Sequence, residues 1–333
     1  MARRVTLKDV AEHAGVSRSA ASLAMRGDEG LSDETRARIL RSMDELGYVY
    51  NRSAAALREN QRRLIGVVVT NFDNTFFAQS LQAIEMELDA HGYSALISSS
   101  LRSEERQKQA LQTMREFGVS AVILAAVEGT EVSAAQELEK AGIACVSYTR
   151  MYPSADYVGP DDIAGGRLAA RHMLEHGVRD LVFLESARPA SGPRLRRKGI
   201  ENELEESRTE VGLRILNTPE GLLAGGYEAG RQMLDWERMP QGVICMSDAT
   251  ALGLIRALHD AKLEKLPRII GFDDIEYSKY SIPSVTTVSS HPQEAGKIAA
   301  RVAVARAERP GSGPETHFTG SQLVLRESCG CTS

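Results

Sequence analysis

His172-Met-Leu-Glu175-His176 spells H-x-x-E-H, a pattern that in zinc peptidases puts two histidines on one helical face with a carboxylate beside them. Here Gly177 ends the helix at once, and His176 in its last turn suits the negative helix end. No third ligand follows at a readable spacing, so the pattern reads as structural. Cys329-Gly-Cys331 would suit a metal or an oxidant sensor, yet no second Cys or His pair lies near it in sequence, and it reads as a tail. Cys145 and Cys245 each follow apolar residues and read as reduced, buried strand residues. The chain contains no G-x-S-x-G, no Walker A loop and no G-x-G-x-x-G after a strand. Neither an enzyme nor a metal or cofactor is expected.

What remains is binding chemistry, carried by polar and aromatic residues that follow apolar runs. Asn71, Phe72, Asp73 and Asn74 follow one such run, and Asp161 lies near a crossover. Arg194 to Arg197, then Ser247-Asp248, then Asp273-Asp274 follow others. The runs read as strands near 65–70, 93–98, 121–124, 143–148, 181–184, 213–217, 243–246, 269–272 and 322–326. Between them lie amphipathic helices near 76–91, 104–117, 132–141, 163–176, 195–206, 222–236, 249–261 and 292–307. Continuous apolar strands alternating with helices predict parallel sheets covered on both faces. Two doubly wound halves place a ligand cleft at the C-terminal edges of their strands, where those polar residues stand. Each has a plainer reading as well: the Arg194–Lys198 cluster fits a solvated helix face, and Asp273 and Asp274 fit caps. Of Phe72, Phe76 and Phe77, one is expected in the cleft and two in the core.

The first fifty residues carry a different pattern. Thr6-Leu-Lys-Asp9 is a helix start, and Ala14-Gly15 closes a short helix. Ser17 caps a second helix, roughly Arg18 to Met25. Two short helices joined by a tight turn form a helix-turn-helix, and Ala11 and Ala14 facing Ala20, Ala21 and Ala24 let the backbones cross closely. A third helix with Ile39, Met43 and Leu46 closes the core. A structural three-helix bundle is the alternative, but Arg18, Ser19, Ser22 and Arg26 make the exposed side of the second helix small and cationic, as a major groove and its phosphates require.

Val5-Thr-Leu-Lys-Asp-Val-Ala-Glu-His-Ala-Gly-Val-Ser17, with Leu46-Gly-Tyr48-Val-Tyr-Asn51-Arg, resembles the N-terminal signature of the lactose-repressor (LacI/GalR) family of bacterial transcription regulators. The resemblance implies that Thr6, Ser17, Ser22 and Asn51 hold phosphates and that Arg18 and Ser19 read base edges. Ala20-Ala21-Ser22-Leu23 departs from the usual Thr-Val-Ser-Arg, so Leu23 would offer only apolar contact, for instance to a thymine methyl. Asn51-Arg-Ser-Ala-Ala-Ala-Leu57 is similar to the family's hinge helix, which places Ala54 and the wedge Leu57 over the minor groove; an ordinary linker is the other reading. Tyr50 stands where the family has proline.

In the core, Arg196-x-x-Gly199-Ile200 and Gly271-Phe272-Asp273-Asp274 match family motifs, with Ile200 replacing an aromatic residue. They imply a periplasmic-binding-protein-like core in which Arg196 and Asp273 bind an effector from opposite lips, with Phe72, Asn74, Asp161, Ser247 and Ser290 around them. The expected layout is a helix-turn-helix domain over 1–50, a hinge over 51–62 and a core over 63–333. Its first subdomain takes about 63–161 plus a late crossover segment, and its second about 162–326.

At 42% hydrophobic and 26% charged residues, the chain excludes a disordered tail, a disulfide scaffold and a fibrous repeat. No apolar run is long enough to span a membrane, and a cytoplasmic location is expected. Residues 1–63 carry 12 Lys/Arg against 9 Asp/Glu, leaving 28 against 36 for the rest, a basic head on an acidic body. The expected partners are palindromic operator DNA, a sugar-type effector and a second copy of the chain. The alternatives are a solute-binding protein with the same core and a regulator that its metabolite activates.

Overall fold

The computed structural model describes residues 6–26, 31–46, 63–152, 155–187, 191–218, 222–309 and 313–331, and the chain divides after Arg62 into two compact units. In the first unit the Thr6 hydroxyl accepts from the Asp9 N–H at 3.4 Å, while the Asp9 carboxylate accepts from the Thr6 N–H at 2.8 Å. This reciprocal cap opens α1 (Leu7–His13). Gly15, at φ 65°, takes the left-handed position in the following turn. Ser17 then caps α2 (Arg18–Arg26) by accepting from the Ala20 N–H at 3.1 Å. From α3 (Asp33–Leu46), Ile39, Met43 and Leu46 pack over Val10, Ala11, Ala14, Ala21 and Ala24. Ala20, expected in this contact, is half-buried and outside the cluster.

The second unit contains two six-stranded sheets. One runs in the order β11-β5-β4-β3-β1-β2, built from β1 (Leu64–Val69), β2 (Ser94–Ser99), β3 (Ala121–Leu124), β4 (Ala144–Tyr148), β5 (Asp156–Pro160) and β11 (Thr316–Thr319). All its pairings are parallel. The other runs β12-β10-β9-β8-β6-β7, from β6 (Asp180–Ser186), β7 (Gly212–Thr218), β8 (Gly242–Cys245), β9 (Arg268–Phe272), β10 (Thr286–Ser289) and β12 (Gln322–Val324). Only β12 is antiparallel there, against β10.

The apolar runs are continuous because both faces of each sheet are covered. Ile65, Val67 and Val69 of β1 pack on α4 (Thr75–Ala90) and α12 (Pro292–Glu308), whereas Val68 packs on α5 (Glu104–Phe117) and α6 (Glu131–Lys140). In the second half, Leu181 and Phe183 face α7 (Asp162–Glu175) and α8 (Ser191–Ser207). Val182 and Leu184 face α9 (Leu222–Leu234) and α10 (Asp248–Asp260) on the opposite side.

Four elements depart from the sequence reading: β5, β10, β11 and the short α11 (Glu276–Tyr280). Asp156-Tyr-Val-Gly-Pro160 and Thr316-His-Phe-Thr319 lack an apolar run, and their ladders form because neighbours supply the partner strand. Both lie next to points where the chain changes halves. It does so between β5 and α7, between β10 and α12, and between β11 and β12.

Candidate functional site

The exposed side of the first unit is set by its caps. Thr6 and Ser17 stand at helix N-termini, where unpaired N–H groups and the helix dipole attract anions. Arg18 and Ser19 are exposed on the first turn of α2, and Ser17 and Ser19 hydroxyls lie 3.0 Å apart. Ser22 is half-buried; Leu23 is half-buried and stands outside the apolar cluster. Asn51, Ala54 and Leu57, together with the side chain of Arg26, lie outside the described residues.

In the second unit the C-terminal strand edges of both sheets border a cleft of about 320 Å³. At its floor Arg196 is buried, its Nε donating to Asp162 Oδ1 at 2.7 Å and its Nη2 to Asp273 Oδ1 at 3.2 Å. Nη1 donates to the Met246 carbonyl at 2.5 Å, and the guanidinium lies 4.4 Å above the Phe272 ring centre. Burial works against this charge, but the two carboxylates prevail and hold Arg196 above its ordinary range. The helix carrying it can approach closely because Gly199 of α8 faces the Ile163 carbonyl of α7, leaving no room for a Cβ. That contact is the physical reason for the glycine in Arg196-x-x-Gly199, and Ile200 beside it is fully buried in the core.

Asp273 sits in a turn of unusual geometry. It and Asp274 have φ of 98° and 51°, a region that non-glycine residues seldom adopt. The turn is held by Asp248, which is fully buried and whose Oδ2 accepts from the Ile275 N–H at 3.0 Å and the Ser278 hydroxyl at 2.8 Å. Arg326 Nη2 donates to Asp274 at 2.5 Å. Burial raises the Asp273 carboxyl above the usual carboxylate range and pushes Asp248 from 3.8 up to about 8.

Asn74 and Ser247 both line the cleft. Each also caps a helix, Asn74 Oδ1 accepting from the Phe76 N–H at 3.0 Å and Ser247 Oγ from the Thr250 N–H at 3.2 Å. Four expectations need correction. Arg196 and Asp273 do not face each other across the cleft, because α8 and the end of β9 belong to the same half and the two side chains pair directly. Phe72 is half exposed and does not line the cleft; Phe76 and Phe77, both buried in the core, also line it. Asp161 is the N-cap of α7, accepting from the Ala164 N–H at 2.9 Å, and is not among the lining residues. Ser290 is buried behind Asp273, to which its hydroxyl donates.

The signature described as "Bacterial regulatory proteins, lacI family" matches residues 6–51, and "Periplasmic binding protein domain" matches residues 65–311. The chain belongs to the LacI family. It is 27% identical to the ribose operon repressor of Escherichia coli (strain K12) over 317 residues, covering 92% of this chain and 94% of that one. The Lac repressor bound to ONPG in its repressed state superposes with a TM-score of 0.86 at 25% identity, covering 98% of this chain and all of that one. A LacI family regulator from Enterococcus faecium with bound ribose gives a TM-score of 0.72 at 26% identity, over 80% of this chain and 98% of that one.

Within this LacI-family cleft, the wall opposite Arg196 is built from residues that sequence reasoning missed. Glu128 follows β3 and reaches across to the second half. Its Oε1 accepts from Arg194 Nη1 at 3.0 Å and its Oε2 from the Ser191 N–H at 3.0 Å. Arg150 follows β4; its Nη1 lies 3.5 Å from Glu128 Oε2, is buried and makes no hydrogen bond. Burial pulls the Arg150 guanidinium below its ordinary range, with Glu128 acting the other way. Arg102 also lines this wall. The signal was available: both Glu128 and Arg150 follow the carboxyl ends of strands that the sequence did reveal.

Among the described residues no helix is long and apolar enough to cross a membrane. The residues set aside one pair at a time are not separate. His172 of α7 and His176, its C-cap, meet Cys329 and Cys331, with one ligand atom from each lying within 4.8 Å of the others.

Proposed function

We propose that this chain is an effector-responsive repressor that binds a two-fold operator as a dimer and is released by a carbohydrate. The observation that carries the reading is a cleft lined from both halves of the core at the C-terminal edges of two parallel sheets. A ligand that touches both walls favours one relative orientation of the halves, and only such a differential affinity can shift the equilibrium between DNA-binding and released states. At about 320 Å³ the cleft falls at the small end of the usual range, which suits a monosaccharide.

In this reading Arg196 and Asp273 form a preorganised donor–acceptor pair for vicinal hydroxyls. Three of the five guanidinium donors are already committed to protein. Phe76 and Phe77 give an apolar edge for sugar C–H groups, and Asn74 and Ser247 complete the polar rim. On the DNA side, Arg18 and Ser19 contact base edges, Leu23 a thymine methyl, and Thr6, Ser17, Ser22 and Asn51 the phosphates. Arg26 joins them at the major groove and its phosphates, Ala54 and Leu57 extend the interface toward the minor groove, and the chain works in the cytoplasm.

A second reading of the ligand rests on Arg150. A buried guanidinium nitrogen that makes no hydrogen bond, only an ion pair with Glu128 at 3.5 Å, with Arg102 on the same wall, favours an effector that carries a carboxylate, a sugar acid rather than a neutral sugar.

The test is selection of source-genome fragments by the purified full-length chain, first alone and then with ribose and a panel of neutral and acidic monosaccharides. Palindromic sites, bound with a steep salt dependence and released by one sugar class, are the expected result. Enrichment only in the presence of a ligand would make the chain a metabolite-activated regulator. Absence of enrichment from correctly folded protein in every condition overturns the DNA-binding reading.

A further inference from the structure

We infer that His172, His176, Cys329 and Cys331 form a closed Cys2His2 site for a zinc-type divalent ion, which clamps the C-terminal turn to the end of helix α7. His176 Nε2 lies 3.2 Å from Cys331 Sγ, and His172 Nε2 lies 3.8 Å from the same sulfur. The two imidazoles meet edge to face with centres 4.6 Å apart. Bond lengths of ~2.3 Å to sulfur and ~2.0–2.1 Å to nitrogen put the ligand atoms of a tetrahedron ~3.3–3.8 Å from one another. These two separations fall at or beside that range, and the largest in the cluster, within 4.8 Å, closes with a small side-chain rotation. Two imidazoles and two sulfurs around one point are the donor set that selects zinc, and four protein ligands leave no open position, which marks a structural site.

The surroundings support the ligands. Thr286 Oγ1 lies 3.0 Å from Cys329 Sγ and 2.9 Å from the Arg326 carbonyl, so its proton can turn to the sulfur once that is a thiolate. Glu175 Oε2 lies 3.8 Å from His172 Nδ1, on the ring edge away from the cluster, where a carboxylate orients a ligating histidine. Gly330, at φ 81°, lets the two cysteines turn toward a common point, and the Arg268 guanidinium occupies the space that a Cβ there would fill. Arg268 also donates to the Cys329 carbonyl, which fixes the turn. His172 and Cys329 are buried, while His176 and Gly330 border an open surface groove that gives an ion a way in.

The turn is already stitched beneath the second sheet, Ser328 Oγ donating to the Ile269 carbonyl at 2.7 Å and accepting from the Thr286 N–H at 2.8 Å. An ion would add a tie between segments 155 residues apart in sequence. That separation is why each pair by itself lacks the ligands that the other supplies.

Full-length protein, purified under reducing conditions without chelator, is expected to carry about one zinc per chain by elemental mass spectrometry. After chelation, cobalt(II) should enter and give the visible ligand-field bands of a tetrahedral site together with a thiolate charge-transfer band. Cys331→Ser and His176→Asn, at half-buried positions, should each reduce bound metal to below about a tenth per chain while far-ultraviolet circular dichroism stays unchanged. Thiol titration gives a second readout, since Cys329 and Cys331 should resist the reagent until zinc is removed. Reduced protein that takes up neither ion overturns the inference. So does a cobalt spectrum without a thiolate band, or one that Cys331→Ser leaves intact.

Discussion

Each wall of the cleft carries an arginine with a buried guanidinium nitrogen, and the two are held in opposite ways. Arg196 has two carboxylates, a carbonyl and an aromatic face around it. Arg150 has one carboxylate at 3.5 Å and a buried nitrogen with no hydrogen bond. Burying a charge is costly unless it is paired, so the protein's own groups hold Arg196 in place, whereas Arg150 keeps an unused donor that the proposed effector would take up. In the proposed reading the cleft has one preorganised wall and one wall that a ligand would complete.

The sharpest way to break this contrast is Arg196→Ala. It leaves Asp162 and Asp273 buried without their cation and should destabilise the core by about 3–5 kcal/mol, a loss that thermal unfolding would reveal. An effect near zero would mean that the preorganised wall is not scaffold. Asp248 tests the same wall by pH. Because its carboxyl is raised from 3.8 to about 8, the folded state holds a proton that the unfolded chain releases. Stability from this group is full below about 4 and declines as pH rises toward about 8. Asp248→Asn keeps an acceptor for Ile275 and Ser278 but removes the titration, so the drop in melting temperature between pH 5 and pH 8 should shrink; an unchanged drop counts against the raised carboxyl.

On the other wall, Arg150→Ala should leave the melting temperature within a few degrees of the parent yet weaken effector binding by about 10- to 100-fold in calorimetry, the loss of one charged hydrogen bond to a ligand. Equal affinity would remove Arg150 from the site. Glu128→Gln should have the smallest effect, because its partner Arg194 is largely exposed: about a two- to fivefold weaker effector affinity, from loss of the contact that joins the halves. A larger loss would make Glu128 a direct ligand contact.

The difference between the walls also marks what the sequence could reveal. Arg196 and Asp273 stand in local motifs whose glycines have readable reasons, and β1, β3, β8 and β9 are apolar runs that need no context. Glu128 and Arg150 are single charges in loops, and only the fold brings them together. β10, Thr286-Thr-Val-Ser289, is fully buried in spite of its polar composition because a sheet surrounds it. Phe72 and Asp161 show the reverse error: the right loops, but turn and cap geometry that directs one side chain to solvent and commits the other to a helix start. His176 and Cys331 show its extreme, two fragments that mean little apart.

The threefold passage of the chain between halves has a consequence for synthesis. The first half has β1 to β5 once residue 160 is made, but its core also contains Ala295, Ala299, Ala300 and Ala303 of α12, and its edge strand β11 ends at Thr319. On the ribosome, the half that begins first must wait, with an apolar face uncovered, until nearly the whole chain has emerged. The second half, whose strands β6 to β10 are made in one stretch, is the earlier of the two to close its core.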